Sequence, residues 1–304
     1  PMRPGGTRTG SQAALRVAPS PTGGVQLGQA LSALPTGEGA RRLGGRFLLR
    51  VGDIGTGRAR DRLIGQIFEV LAWLGLAWAT PVLRPSEHFA DYHAAARKPE
   101  DMGLLYPCFA TRSEIRAEVE RLNTQGLEVP LDPDGAPVYP GLHKGLAAAE
   151  IAARIDSGEP HALRLDMAAA IERAREISGQ ARISYVAFDD DGRERRVVAD
   201  PARWGDAVIV RKDVPASYHL AVVVDDHRQS ITHVTRGRDL EAATDLHRLL
   251  QVLFAFEAPR YHHHRLLLDE GGAKLAKRSG SESLRSLREK GLTPEDIRRM
   301  ITAG

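Results

Sequence analysis

The chain has 304 residues, 42% of them hydrophobic and 27% charged, with a formal net charge of +3 at pH 7. That balance belongs to a folded globular protein and excludes an intrinsically disordered chain. The single cysteine, Cys108, excludes an internal disulfide and fits a reducing compartment, and no apolar run reaches the roughly 20 residues that span a bilayer.

Residues 1–13 (PMRPGGTRTGSQA) lack the hydrophobic centre of a signal peptide. They read as a disordered lead-in to a soluble, cytoplasmic protein. "AALRVAP" reads as a buried first strand, and "QLGQALSAL" as the start of a helix. Pro35, Gly37 and Gly39 follow closely and are expected to end or fray that helix. "GGRFLLRV" is a second strand, and Leu63, Ile67, Val70, Leu71 and Leu74 recur at helical spacing after it. Strand, helix, strand, helix predicts a parallel sheet with crossover helices. From about Tyr106 the pattern changes, with turn chemistry at Asp132-Pro133-Asp134-Gly135 and at Tyr139-Pro140-Gly141, which reads as an inserted module. "DAVIVRKD" and the nearly unbroken apolar "YHLAVVVDD" are expected strands, the second a central one. "DLHRLLQVLFAF" is a helix, and two short helices close the chain, with Thr293 as cap and Pro294 at the first helical position. The basic tail "KLAKRSGSESLRSLREKGLTPEDIRRM" fits either a solvated helix face or contact with a phosphate backbone.

Two stretches carry chemistry. The Gly/Pro-rich turn and helix start from Pro19 to Gln29 are a layout that holds nucleotide phosphates on helix N–H groups, and "KLAKR" offers a basic loop for the same anion. "APSPTG", "GGRFLLR", "LAWLGL", "YHLAVVVDD", "VTRGRDL" and "KLAKRSG" occur in the order found in one family. With these segments the chain resembles the class I glutamyl-tRNA synthetases, above all their truncated glutamyl-Q tRNA(Asp) branch, from about Leu15 to the end.

The resemblance implies an α/β fold: a Rossmann-like catalytic domain in two halves (14–105 and 196–256). Between them comes an inserted α/β acceptor-binding-like module (106–195), and after them the lysine loop and terminal helices (257–304). With the chain ending there, no anticodon-binding domain is expected. The implied reaction joins L-glutamate to ATP, with Mg2+, as glutamyl-adenylate, then esterifies queuosine in the anticodon of tRNA(Asp). A monomer without membrane attachment is implied as well. By position, Arg16, Val17, Ala18, Pro19, Ser20, Tyr218 and Arg236 match the glutamate pocket, Gly28, Lys274 and Lys277 the ATP site, and Gln26, Gln29 and Lys277 the catalytic signatures. Arg278 adds a second cation beside Lys277.

Four departures are visible. Gln26 and Gln29 stand at histidine-type positions and cannot become cationic. Gly52 in "VGDIG" stands where the family carries an acidic residue for the substrate ammonium; Asp53, its neighbour, is expected to face the other way. The family's zinc ligands correspond to Cys108, Ala110, Tyr139 and His143, an incomplete set for a four-ligand structural zinc, so a vacant site is expected. The triplet His262, His263, His264 is expected to have no metal duty. These departures predict attenuated activity and keep two rivals open: a non-catalytic tRNA- or nucleotide-binding descendant, and an adenylate-forming enzyme for another small amino acid.

Overall fold

Residues 12–21, 24–54, 59–267 and 282–302 are described by the structure, a computed structural model. In chain order the elements are β1 (Ala14–Val17), α1 (Leu27–Arg42), β2 (Arg46–Arg50), α2 (Ala59–Trp73), β3 (Ala79–Leu83), α3 (Phe89–Asp101) and β4 (Leu105–Cys108). Then come α4 (Arg112–Thr124), α5 (Ala148–Asp156), β5 (Ala162–Leu165), α6 (Met167–Ser178), β6 (Ser184–Phe188), β7 (Glu194–Val198) and β8 (Val208–Val210). The chain continues through α7 (Tyr218–Arg228), β9 (His233–Gly237), α8 (Ala243–Phe254), β10 (Arg260–His264), α9 (Leu284–Glu289) and α10 (Pro294–Thr302).

Seven strands form one sheet in the order β3-β2-β1-β9-β10-β6-β7, parallel throughout except for the β6–β7 hairpin. Alternation along the strands builds two cores. Leu15 and Val17 of β1 and Phe47 and Leu49 of β2 pack with α1, α2, α9 and α10; Ala14 and Leu48 face the other way, toward α3, α7 and α8. Helices on both faces of a parallel sheet make a doubly wound α/β fold. A smaller antiparallel sheet, β4-β5-β8, stands beside it. The sheets divide the chain differently from the expected segments: β6, within 106–195, pairs with β10 of the main sheet, whereas β8, within 196–256, closes the small one. Among the described residues no helix is long and apolar enough to cross a membrane.

Two local expectations are corrected. "YHLAVVVDD" is helix α7, not a strand; Ser217 caps it through Oγ, which accepts from Leu220 N at 3.2 Å. Every residue from Leu220 to Asp226 is buried, so the helix is enclosed on all sides and its apolar run carries no 3.6-residue signal. The first helix runs unbroken to Arg42, through Pro35. Its glycines mark close packing rather than an end: a Cβ at Gly37 would lie 2.5 Å from Leu76 Cδ2, and one at Gly39 would lie 3.2 Å from Leu15 Cδ2. Tertiary contact overrides propensity here.

Candidate active site

Strand order runs outward from β1 in one direction (β2, β3) and from β9 in the other (β10, β6), so the sheet reverses between β1 and β9. Crevices at such a switch point, beyond the carboxyl ends of the strands, are where doubly wound proteins hold ligands. A cavity of about 210 Å³ opens there. Arg16, Val17, Ala18, Pro19 and Ser20 form its β1 wall, and Arg236 rises from β9 opposite Tyr218 of α7. Seven of the eight positions expected around an amino-acid substrate therefore converge. The eighth, Gly52, borders the same wall: its N–H donates to Pro19 O at 3.0 Å, and a Cβ there would lie 3.8 Å from Ser20 Cα.

Arg236 is buried, and no carboxylate pairs with it among the described residues. The ion pair with Asp239, the ordinary expectation for a basic residue in "RGRDL", is not among its contacts. Its partners are neutral: Nη2 donates to Thr244 Oγ1 (2.6 Å), Nη1 to His247 Nδ1 (3.2 Å) and Nε to His263 Nε2 (3.3 Å), with Tyr218 Oη 3.5 Å away. A guanidinium only donates, so His247 accepts at Nδ1 and carries its proton at Nε2, which donates to His219 Nδ1 at 3.0 Å. Burial first, then the charge of Arg236, pushes His219 down to about 4, His263 to about 3 and His247 well below the ordinary range. The girdle stays neutral and leaves the charge of Arg236 available to a ligand carboxylate. His247, His263 and Thr244 carried no signal in the sequence beyond the histidine triplet, because β9 and α8 meet only in the fold.

Arg16 is committed inside the protein. Its Nε and Nη2 grip Asp226 of α7 at 2.9 and 2.8 Å, and Arg50 Nη2 reaches the same carboxylate at 2.8 Å. Burial works against the Asp226 carboxylate, but the two guanidiniums outweigh it and hold the group at about 2. Arg16 thus shapes the floor of the cavity while its charge is matched by Asp226. Asp53 faces away from the cavity, as expected from strand alternation: it accepts from Arg84 Nε (3.0 Å), Ser86 N (2.9 Å) and Ser86 Oγ (2.7 Å).

A second cavity of about 210 Å³ adjoins the first, sharing Gln29, Ser32 and Gly237. Gln26 and Gly28 line it with Asp239 and His264. Gln29 Oε1 accepts from Gln26 N at 2.9 Å and so caps the start of α1, leaving its Nε2 to the cavities. A Cβ at Gly28 would meet nothing within 4 Å, which leaves open space against the backbone. Lys274, Lys277 and Arg278 lie outside the described residues. The flanking residues are at the cavity: Leu267 lines it, and Ser283 bridges to Gln26, with Leu284 N donating to Val25 O at 2.7 Å.

Cys108, Ala110 and Tyr139 pack together in the small module. These groups are hydrogen-bonded to one another and to nearby backbone. Cys108 Sγ lies 3.3 Å from Tyr139 Oη, which also accepts from His143 N at 2.8 Å, and His143 Nδ1 accepts from Phe109 N at 3.2 Å. One thiol, one phenol held protonated by burial and one imidazole are three groups, where a structural zinc usually has four ligands. The rings of His262, His263 and His264 diverge to Asp190, to Arg236 and Thr244, and to Ser32.

The described geometry is that of two adjoining cavities, one against buried Arg236 and one beside the start of α1, at the switch point of the sheet. The family of class I tRNA synthetases (E and Q), catalytic domain, matches residues 12–303, and the chain belongs to it. The chain is similar to the glutamyl-Q tRNA(Asp) synthetase of Rhodobacter capsulatus, 40% identical over 293 residues that cover 94% of this chain and 98% of that protein. It is 35% identical to the protein of the same name from Symbiobacterium thermophilum, over 93% of this chain and 83% of the relative. Glutamate-tRNA synthetase from Elizabethkingia anophelis superimposes with a TM-score of 0.75 at 25% identity, over 96% of this chain and 61% of that one.

Proposed function

We propose that this protein condenses L-glutamate with ATP to glutamyl-adenylate and passes the glutamyl group to queuosine in tRNA(Asp). The observation that carries the reading is Arg236, a buried cation whose hydrogen-bond partners among the described residues are neutral, set beside a helix N-terminus able to receive phosphate. The γ-carboxylate of glutamate would complete Arg236 through the guanidinium fork. The α-carboxylate would then lie toward the shared wall at Gln29 and Gly237, next to the nucleotide cavity.

In the first step a carboxylate oxygen attacks the α-phosphorus of ATP and pyrophosphate leaves. Negative charge grows on the α-phosphoryl oxygens, where the N–H groups of α1 and the Gln29 amide would donate. Mg2+, when bound with ATP, neutralises triphosphate charge; Asp239 is the carboxylate among the described residues that lines that cavity and would help carry it. Lys274 and Lys277 are proposed to meet the phosphates from their loop. In the second step a hydroxyl of the queuosine cyclopentenediol attacks the mixed anhydride, its proton is lost, and AMP leaves. Neutral Gln26 and Gln29 and the missing carboxylate at Gly52 support a slow enzyme with weak hold on the substrate ammonium. The same Gly52 favours, as a second reading, activation of a different small acid lacking that ammonium.

The test is ATP–pyrophosphate exchange with glutamate, followed by transfer of labelled glutamate to tRNA(Asp) with and without queuosine. Glutamate-dependent exchange and queuosine-dependent transfer support the proposal. No exchange at high enzyme concentration sinks it, and exchange with another acid alone turns it to the second reading.

A further inference from the structure

A third cavity, of about 470 Å³, lies at the opposite edge of the main sheet, where β6, β9 and β10 begin. Nothing in the proposed reaction uses it. Its wall is basic: Arg196 of β7, Arg248 of α8 and Arg260 of β10 all line it.

Arg248 Nε donates to Ser184 O at 2.8 Å, and Arg196 Nη1 donates to Ser184 Oγ at 2.9 Å. Two guanidiniums are thus steered to one neutral residue, and neither has a carboxylate partner among the described residues. Burial, reinforced by the charge of Arg196, lowers the pKa of Arg248, the cost of crowding like charges away from water. Arg260 is paired with Glu194. Of the acidic side chains in the wall, Asp226 is held by Arg16 and Arg50, and Glu257 contributes a single charge. Among the described residues, positive charge therefore exceeds negative around the cavity. Two forked donors, each with N–H groups beyond its bond to Ser184, match the oxygens of a phosphate group.

We infer that this cavity binds a small phosphate anion at a site separate from the nucleotide cradle. His227 lines it, its ring stacked on Phe256 at 3.7 Å, whereas His264 lines the nucleotide cavity, so the two rings report on the two sites separately.

The test titrates inorganic phosphate into the full-length protein labelled at its histidine rings, at constant ionic strength, and follows the His227 and His264 signals by NMR. Arg196 sits exposed on the hairpin, so Arg196→Gln leaves the fold intact; Arg248→Gln is the second variant. The expected result is a saturable His227 shift in the parent, with phosphate affinity at least tenfold weaker in both variants and any His264 response unchanged. An unmoved His227, a shift that chloride reproduces, or an affinity in either variant equal to the parent's overturns the inference. A short RNA hairpin is the control for the source of the phosphate. A His227 response to RNA without one to inorganic phosphate also overturns it.

Discussion

Replacing Gly52 with glutamate should strengthen glutamate binding. The backbone at Gly52 is not in the left-handed region, and a Cβ built there meets Pro19 O and Ser20 Cα at 3.8 Å and Ser20 Cβ at 4.0 Å, all ordinary contacts. A side chain is therefore admitted beside the wall of the switch-point cavity without backbone strain. Asp53 cannot already fill the role, because its oxygens are engaged by Arg84 and Ser86 on the other face. A new carboxylate meeting the substrate ammonium gains about 1.5–3 kcal/mol, the usual net worth of a hydrogen bond to a charged group. That is roughly a ten- to hundredfold drop in KM for glutamate. ATP–pyrophosphate exchange against glutamate concentration measures it, with a thermal melt to show that the variant folds. A folded Gly52→Glu protein whose KM is unchanged or higher would refute the placement of the ammonium subsite.

Asp226→Asn leaves Arg16 and Arg50 buried without their shared counter-charge and should cost about 3–5 kcal/mol, read from chemical denaturation. A loss below 1 kcal/mol would contradict the central role given to that carboxylate. Stability should also fall with acid in two windows. The histidines around Arg236 are held neutral, their folded pKa values below the unfolded 6.5, so their contribution is complete above about pH 6.5. It is lost as pH falls toward about 4 for His219 and about 3 for His263. Asp226, held at about 2, adds a second loss that begins only below the ordinary carboxylate range near 3.8. Melting curves from pH 8 to pH 3 test this, and a flat profile between pH 7 and pH 5 would argue against the neutral girdle. Prolonged treatment with a strong zinc chelator should leave the melting temperature unchanged, because hydrogen bonds tie Cys108, Tyr139 and His143 together. A clear fall on chelation, restored by zinc, would overturn that reading.

Of the main sheet, β1 and β2 were legible because they are short, bounded by turn residues and followed by helices with clear starts or periodicity; β3, β6, β7, β9 and β10 were not read as strands. Arg16 to Ser20 are contiguous and Tyr218 and Arg236 lie in recognisable segments, and all of them line one cavity. What sequence could not supply was environment. The apolar run of α7 lost its helical period because every side of that helix is buried. Pro35, Gly37 and Gly39 look like helix breakers until Leu76 and Leu15 are seen against the glycines. The division of β6 and β8 between the two sheets depends on long-range pairing with β10 and β5. Above all, only the fold shows Arg236 enclosed by His247, His263 and Thr244, which lie on other elements.

Calorimetric titration of the sulfamoyl mimic of glutamyl-adenylate into the parent protein and its Arg236→Gln variant goes most directly to the centre of this account. Saturable one-to-one binding by the parent is predicted, weakened by about 2–5 kcal/mol when the buried fork is removed, while the glutaminyl mimic binds the parent poorly. Equal binding by parent and variant, or no heat from either folded protein, would contradict the assignment of this cavity to a glutamyl group.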